Sequence, residues 1–291
     1  MKTRFIFNPS SGRGRQPAAA LAELRAAVER WFPGSAVEMT KRPGHAEALS
    51  RQALADGCGL VVAVGGDGTA NEVARPLIGG EAVFGLVPRG SGNGLARHLG
   101  IPLKTSAAVA ALAAGTDRVI DTGLANEHPF LNVAGIGLDA DVAERMAGLA
   151  RRGPWPYFKI TAAAAWRGRP FACGMAGNDW ETNQRVWLVA VANSDQWGNN
   201  ARVAPGARVD DGVLDLVAVS AVPRWRAPAM ALRLFVGSFD RDPRVLRRSG
   251  TFFRISRVGG GVFHTDGEIW PETSEWVVKV IPKSLRVRAP A

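Results

Sequence analysis

Apolar positions along the chain follow two different patterns, and the place where one gives way to the other is its first structural signal. Phe5-Ile6-Phe7 predicts a short strand. Leu21, Leu24, Val28 and Trp31 recur at helical spacing and predict a helix from about Ala18 to Phe32. Ala36 to Met39 reads as a second strand and His45 to Leu54 as a second helix. Leu60-Val61-Val62-Ala63-Val64 is apolar without interruption, as expected of a strand covered on both faces of a parallel sheet. Gly65 to Thr69 ends it, Ala70 to Leu77 predicts a further helix, and Phe84-Gly85-Leu86-Val87 a further strand before Pro88. Strand and helix alternate, which predicts an open, doubly wound parallel sheet wrapped by helices.

After about Asp121 the pattern changes. Val186 to Ala192, Leu214 to Val219, Thr251 to Ile255 and Trp276 to Ile281 are short runs of Val, Ile and aromatics punctuated by Asp-Gly or Gly-Gly turns. One helical insert, about Val142 to Ala150, interrupts them. The boundary is placed at Asp121-Thr122-Gly123, giving an α/β domain over 1–121 and an all-β domain over 122–291, whose last strand is free to return to the first.

Composition narrows the class. Of 291 residues 46% are hydrophobic and 21% charged, an ordinary balance for a folded chain. The net charge of +10 favours polyanionic partners such as nucleotides or anionic membrane, with a plain basic background as the alternative. Cys58 and Cys173 are isolated, so neither a disulfide framework nor a zinc site is expected, and a reducing cytoplasm fits. The apolar stretch at the N-terminus is too short for a signal peptide, and no stretch approaches the length of a membrane span, so lipid would be met from the surface, at the inner membrane face.

The sharpest candidate site is Gly65-Gly66-Asp67-Gly68-Thr69-Ala70-Asn71-Glu72, between a buried strand and a helix. Its glycines let the backbone turn tightly and approach a ligand, and its free N–H groups suit phosphate oxygens. Thr69 and Asn71 can add side-chain donors. Asp67 would repel phosphate unless Mg²⁺ bridges them. An ordinary capped turn is the alternative. The stretch is not a Walker A loop, because the Lys of that motif is missing. A near-match to the dinucleotide fingerprint, Gly135 to Ala140, lacks the acidic residue needed for ribose recognition. A second glycine-rich turn, Pro88 to Arg97, also ends a strand, and Asn8-Pro9-Ser10-Ser11-Gly12 follows the first strand, so three turns belong at one sheet edge. Arg89 either reaches phosphate there or is solvated.

These residues, with Thr40, Gly44-His45-Ala46, Asn132 to Ala140, Ala204-Pro205, Asp211 to Asp215 and Asp266-Gly267-Glu268, resemble a known family. It is the bacterial lipid kinases of the diacylglycerol kinase catalytic-domain superfamily, related to sphingosine and ceramide kinases. The resemblance spans nearly the whole chain. It implies an NAD kinase/phosphofructokinase-like α/β domain that binds ATP, and a β-sandwich domain for the lipid. Asn8, Thr40, Gly65, Gly66, Asp67, Gly68, Thr69, Ala70, Asn71 and Ser91 would hold ATP; Ser91 stands where many relatives have Thr. Glu268 matches the proton acceptor, with Asp266 beside it near metal and substrate. Asp211, with the carbonyls of Arg208 and Val213, matches a structural Mg²⁺ site, and Asp210 is the neighbouring alternative.

The chemistry also follows from the residues. Phosphoryl transfer needs positioning and charge neutralisation. An alcohol nucleophile has a high pKa, so a carboxylate within hydrogen-bond reach assists it, typically by about 10²–10⁴ in rate. Asp266-Gly267 can equally be a plain hairpin turn. Arg151, Arg152, Trp155, Tyr157, Phe158, Lys159, Trp166, Arg167, Arg169 and Phe171 mix cations with aromatics, suiting either an anionic membrane surface or a domain-edge helix. Nucleic acid is not expected, since no recognition motif accompanies them. An NAD kinase-like metabolite kinase and a non-catalytic ATP or lipid sensor remain the competing readings.

Overall fold

The computed structural model describes residues 1–12, 16–138, 140 and 169–290. Asp139, the helical insert at 142–150 and the basic-aromatic stretch up to Gly168 therefore lie outside the described residues. The chain divides into two compact units, Met1–Ile120 together with Lys283–Ala291, and Asp121–Pro282.

The first unit begins β1 (Thr3–Phe7), α1 (Pro17–Trp31), β2 (Ala36–Met39), α2 (His45–Ala55), β3 (Leu60–Gly65), α3 (Asp67–Ala74) and β4 (Val83–Pro88). Two helices follow, α4 (Gly94–His98) and α5 (Thr105–Ala114), then β5 (Thr116–Ala125), which carries the chain into the second unit. All pairings within β2-β1-β3-β4 are parallel, in that order. Every residue of β1, β3 and β4 is buried, which is why β3, β4 and the Phe5–Phe7 part of β1 are unbroken apolar runs; Thr3 and Arg4 are buried as well. The order reverses after β2. With right-handed crossovers, α1 covers one face and α2 and α3 the other. The helix contacts agree, since α1 packs on α5 and α2 on α3.

Helix α3 starts earlier than the sequence predicts. Its first turn is Asp67-Gly68-Thr69 rather than Ala70, because Gly66 serves as the extended N-cap and the strand ends at Gly65. Glycine at position 68 concealed the helix by its low propensity.

The second unit contains β6 (His128–Phe130), β7 (Val133–Gly137), β8 (Phe171–Ala176), β9 (Glu181–Ala192), β10 (Gln196–Gly198), β11 (Ala201–Arg202) and β12 (Leu214–Ser220). The helix α6 (Ala227–Val236) then precedes β13 (Val245–Gly250), β14 (Phe252–Thr265) and β15 (Glu268–Ala289). The pairings β13-β12-β9-β7-β14 are all antiparallel, and β8 joins the first halves of β9 and β14. Alternate residues feed two separate cores. Val189 and Val191 of β9 with Leu214 and Leu216 of β12 enter one, while Leu188 and Ala190 with Val217 and Val219 enter the other. Both faces are covered, so the period of two is invisible in these runs.

The unit is β-rich but not all-β. Helix α6 packs Met230 and Leu234 on the second core. It was missed because 228–236 is apolar around its whole circumference apart from Arg233, which hides a helical period. The strands predicted over Thr251 to Ile255 and Trp276 to Ile281 are far longer in β14 and β15, which carry exposed polar residues such as Arg254 and Glu275.

The last residues of β15 return to the first unit, where Val287 pairs in parallel with Phe84 of β4. A two-pronged ion pair fastens them: Arg288 donates from Nε and Nη2 to the two carboxylate oxygens of Asp117 at 2.6 and 2.8 Å. The Arg288 hydrogen bond holds the Asp117 carboxyl below its ordinary pKa. A depressed carboxyl stabilises the fold above its unfolded-state pKa, and that contribution disappears as pH falls through the folded value. The Asp117 side chain is 38% exposed, so solvent screening limits the pair to about 1 kcal/mol or less. Asp117→Asn should therefore lower the urea midpoint at pH 7, and the difference from wild type should vanish in acid. An equal difference at both pH values would exclude this role.

Candidate active site

In an open sheet ligands bind beyond the carboxyl ends of the strands, where the strand order reverses. In the first unit that point lies between β1 and β3. Asn8 continues the ladder, its N–H donating to the Val64 carbonyl at 3.0 Å. Its side-chain Nδ2 then donates to Thr69 Oγ1 at 2.9 Å, while its Oδ1 accepts from the Ser10 N–H. Asn8 and Thr69 thus join the turns after β1 and β3.

The turn after β4 is fastened more strongly. Asp67 accepts the Asn93 N–H on Oδ2 at 2.9 Å and the Gly94 N–H on Oδ1 at 2.8 Å. Asn93, in the left-handed region, accepts from Gly90 N–H and donates to the Gly90 carbonyl, closing the turn on itself. The Arg89 N–H donates to the Gly65 carbonyl at 2.6 Å. Backbone then meets backbone: a Cβ on Gly90 would stand 2.6 Å from Gly66 Cα. Gly90 therefore has no room for a side chain, and a Cβ on Gly66 would be tight, 3.1 Å from Gly90 Cα. The carboxylate expected to face Mg²⁺ is hydrogen-bonded to the second glycine turn, a partner 26 residues downstream that the motif alone does not disclose.

Arg89 is half-buried. Its guanidinium lies 5.4 Å from the Phe7 ring centroid, and its buried Nε has no hydrogen-bond acceptor. Burial lowers its pKa, since the charged form is penalised there. A half-buried cation lacking an acceptor, beside three converging turns, is a place for an anion. The residues present therefore fit a nucleotide phosphate.

Thr40 joins the same edge through its N–H, which donates to the Phe7 carbonyl at 2.9 Å. The nearby Gly44-His45-Ala46 motif is explained by capping. His45 Nδ1 accepts the Lys41 N–H, and Glu72 Oε2 accepts the Ala46 N–H at 3.1 Å. Glu72 therefore ties the start of α2 to α3. Asn71 is buried and accepts from Arg75 Nε at 2.7 Å, while Gly68 and Ser91 stay half-buried in their turns and Ala70 is buried in α3.

In the second unit Asp266 and Gly267 both take positive φ, 51° and 85°, forming the two-residue turn between β14 and β15. Asp266 also does something no hairpin requires. Its carboxylate accepts the N–H groups of Leu131, Asn132 and Val133 at 2.8, 3.0 and 3.0 Å, and its own N–H donates to the Val133 carbonyl. Charge-assisted hydrogen bonds of this kind are worth roughly 1.5–3 kcal/mol each. The turn is thereby pinned to the Asn132 segment, and Glu268, half-buried, begins β15 directly after it.

The candidate metal loop is held the same way. Asp121 Oδ2 accepts the Gly212 N–H at 2.7 Å, and the Asp121 N–H donates to the Val209 carbonyl. Asp211 is exposed and accepts the Val213 N–H at 3.2 Å, while Arg208 pairs with Asp210 at 3.1 Å. No cluster of three or more His, Cys, Asp or Glu suited to a metal occurs among the described residues. One carboxylate with two carbonyl oxygens and water is nonetheless a hard-oxygen donor set of the kind Mg²⁺ accepts. Sequence reasoning had not singled out Glu72, Asn93 or Asp121 as anchors; Glu72 and Asp121 each accept a distant backbone amide, while Asn93 closes its own turn and gives its N–H to Asp67.

Comparison with known proteins covers both units. Residues 2–125 match the diacylglycerol kinase catalytic domain, and residues 132–289 the YegS C-terminal NAD kinase beta sandwich-like domain. A "Probable lipid kinase YegS-like" of Pseudomonas aeruginosa is 31% identical over 300 residues, covering 100% of this chain and 95% of the relative. A diacylglycerol kinase of Mycobacterium tuberculosis is 26% identical over 303 residues, covering 99% and 95%. Among solved structures, a diacylglycerol kinase from Bacillus anthracis superposes with TM-score 0.76 at 19% identity, covering 99% and 96%. An NAD kinase from Archaeoglobus fulgidus superposes with TM-score 0.54 at 12% identity, covering 99% and 93%. These two structures agree in fold.

The glycine contacts give a direct test. Gly90→Ala forces the two turns apart and should cost about 1–3 kcal/mol in denaturant unfolding. Gly68→Ala meets no atom within 4 Å and lies in a helix, so stability should hold or rise by up to about 1 kcal/mol. A Gly90→Ala protein as stable as wild type would refute the close contact.

Proposed function

Since the chain belongs to the diacylglycerol kinase catalytic-domain family of lipid kinases, we propose that it transfers the γ-phosphoryl group of ATP to the hydroxyl of a lipid alcohol, with Mg²⁺. The observation that carries the nucleotide half of this reading is the half-buried Arg89 side chain, whose buried Nε has no acceptor, beside the three joined turns. Asn8, Thr40, Gly65 to Asn71, Arg89 and Ser91 would bind and orient the triphosphate. In the step itself the lipid hydroxyl oxygen bonds to the γ-phosphorus, the bond to the ADP oxygen breaks, and the hydroxyl proton passes to the Glu268 carboxylate. Asp266 would act through position, fixing the turn that presents Glu268. Mg²⁺, when bound, would neutralise charge on the transferring group; Arg208, Asp211 and Val213 would hold a second, structural ion.

We assign the nucleotide to the first unit and the lipid to the second. No described helix is long and apolar enough to cross a membrane, and a cytoplasmic enzyme working at the inner membrane face is the setting we propose.

Labelled-ATP transfer against diacylglycerol, sphingoid bases, ceramide, monoacylglycerol and NAD, with and without Mg²⁺, tests the reading. Transfer to a lipid that needs Mg²⁺ supports it. Transfer to NAD alone, or ATP binding without transfer to any acceptor, would replace it with one of the competing readings. Glu268→Gln should cut turnover at least about 100-fold while ATP binding persists; near-wild-type turnover removes Glu268 from the role.

Arg89→Met gives a second, oppositely signed pair of outcomes. It keeps contact with Phe7 and removes a buried cation, so the ligand-free protein should be no less stable. ATP affinity should fall about 10–100-fold, the value of a hydrogen bond to a charged group. Thermal melting with and without ATP reads both, and unchanged ATP affinity would remove Arg89 from the site.

A further inference from the structure

The segment 221–238 of the second unit has no place in the site just described, yet it carries an unusual surface. Four of the nine large apolar side chains that stand exposed among the described residues lie within it: Trp225, Leu232, Phe235 and Val236, at 77, 63, 52 and 64%. The others are scattered. Helix α6 satisfies its packing with the opposite face, where Met230 is buried and Leu234 contacts the core. Leu232, Phe235 and Val236 are spaced i, i+3 and i+4, so they form one stripe directed away from that core. A stripe of this kind in water marks a surface that another phase or molecule covers.

The chemistry around the stripe selects its occupant. The segment 221–238 contains no Asp or Glu. The Arg226 guanidinium lies 5.6 Å from the Trp225 ring centroid, and Arg233 on α6 is 40% exposed. Arg202 flanks the end of the helix, 3.4 Å from where a Cβ on Gly237 would sit. The carboxylates that meet these cations are withdrawn from the surface: Asp242, 3.6 Å from Arg233, is buried, and Asp195, 3.7 Å from Arg202, is 16% exposed. An aromatic and three aliphatic or aromatic neighbours rimmed by arginines match the boundary layer of an anionic bilayer, where apolar groups enter below the phosphates and cations remain among them.

We infer that Trp225 and the outward stripe of α6 form a docking surface for an anionic membrane. It rests on the lipid-kinase reading only for the reason the protein visits a membrane, since docking itself needs neither nucleotide nor turnover.

Co-sedimentation with phosphatidylcholine vesicles, with and without phosphatidylglycerol, tests it without any activity measurement. The wild type should bind the anionic vesicles and release them at high salt. Leu232→Ser/Phe235→Ser should weaken binding at least about tenfold, and Arg226→Glu at least about fivefold. Each should keep the wild-type melting temperature, because the altered side chains leave the core untouched. Val258→Ser, an 85% exposed control elsewhere in the unit, should bind as wild type. Binding retained by Leu232→Ser/Phe235→Ser, or equal binding to neutral vesicles, would overturn the inference. So would a wild-type dimer in solution that Leu232→Ser/Phe235→Ser converts to monomer, since the stripe would then be covered by a second copy. If vesicle binding is lost in these variants while phosphate transfer to every lipid fails even in the wild type, the docking surface stands and the kinase reading falls.

Discussion

The first unit depends on one contact, the Asp67 carboxylate against the Asn93 and Gly94 amides. It holds two glycine turns so close that Gly90 leaves no space for a side chain against Gly66. The contact also resolves an electrostatic conflict. A carboxylate at an edge proposed to bind phosphate is unfavourable if it faces the phosphate, but here its charge is met by backbone dipoles from the neighbouring turn. With Asp67 partnered this way, Arg89 adds positive charge to the edge, and it is the group whose Nε lacks an acceptor. Architecture and the proposed anion preference come from the same arrangement.

The same physical solution recurs. Asp266 collects three amides from residues 131–133, Asp121 holds Gly212, and Glu72 holds Ala46. Each turn involved would otherwise carry N–H groups with no place in a ladder or helix. A carboxylate satisfies several of them at once and fixes the turn more tightly than water could. Acidic residues in a kinase motif invite a catalytic interpretation. In this chain Asp67 and Asp266 first determine where backbone goes, and Glu268 receives its place from the turn that Asp266 anchors.

What the sequence discloses follows from what its signals can carry. The parallel sheet was legible because β3, β4 and the Phe5-Ile6-Phe7 part of β1 are covered on both faces and so read as unbroken apolar runs. The glycine turns were legible from their position directly after those strands. The lengths of β14 and β15 were not, because their exposed residues, among them Arg254 and Glu275, dilute the pattern. The clamp at Asp67 was hidden by distance along the chain, and the burial of Arg89 by its dependence on Phe7, a residue of another strand. Motif spacing reports which residues share a turn, whereas these contacts join different turns.

Helix α6 shows the opposite failure, and its cause has physical content. An ordinary surface helix reveals itself by a polar face, which α6 lacks. Its inward side is apolar because Met230 and Leu234 reach the core, and its outward side is apolar without any described element covering it. Local stability does not require Leu232, Phe235 and Val236 to be apolar there, since polar helix formers would fold as well and remain more soluble. Exposure of such residues is tolerated where something outside the fold makes use of them. The missing helical period that concealed α6 in the sequence is therefore the same property that marks its surface in the structure.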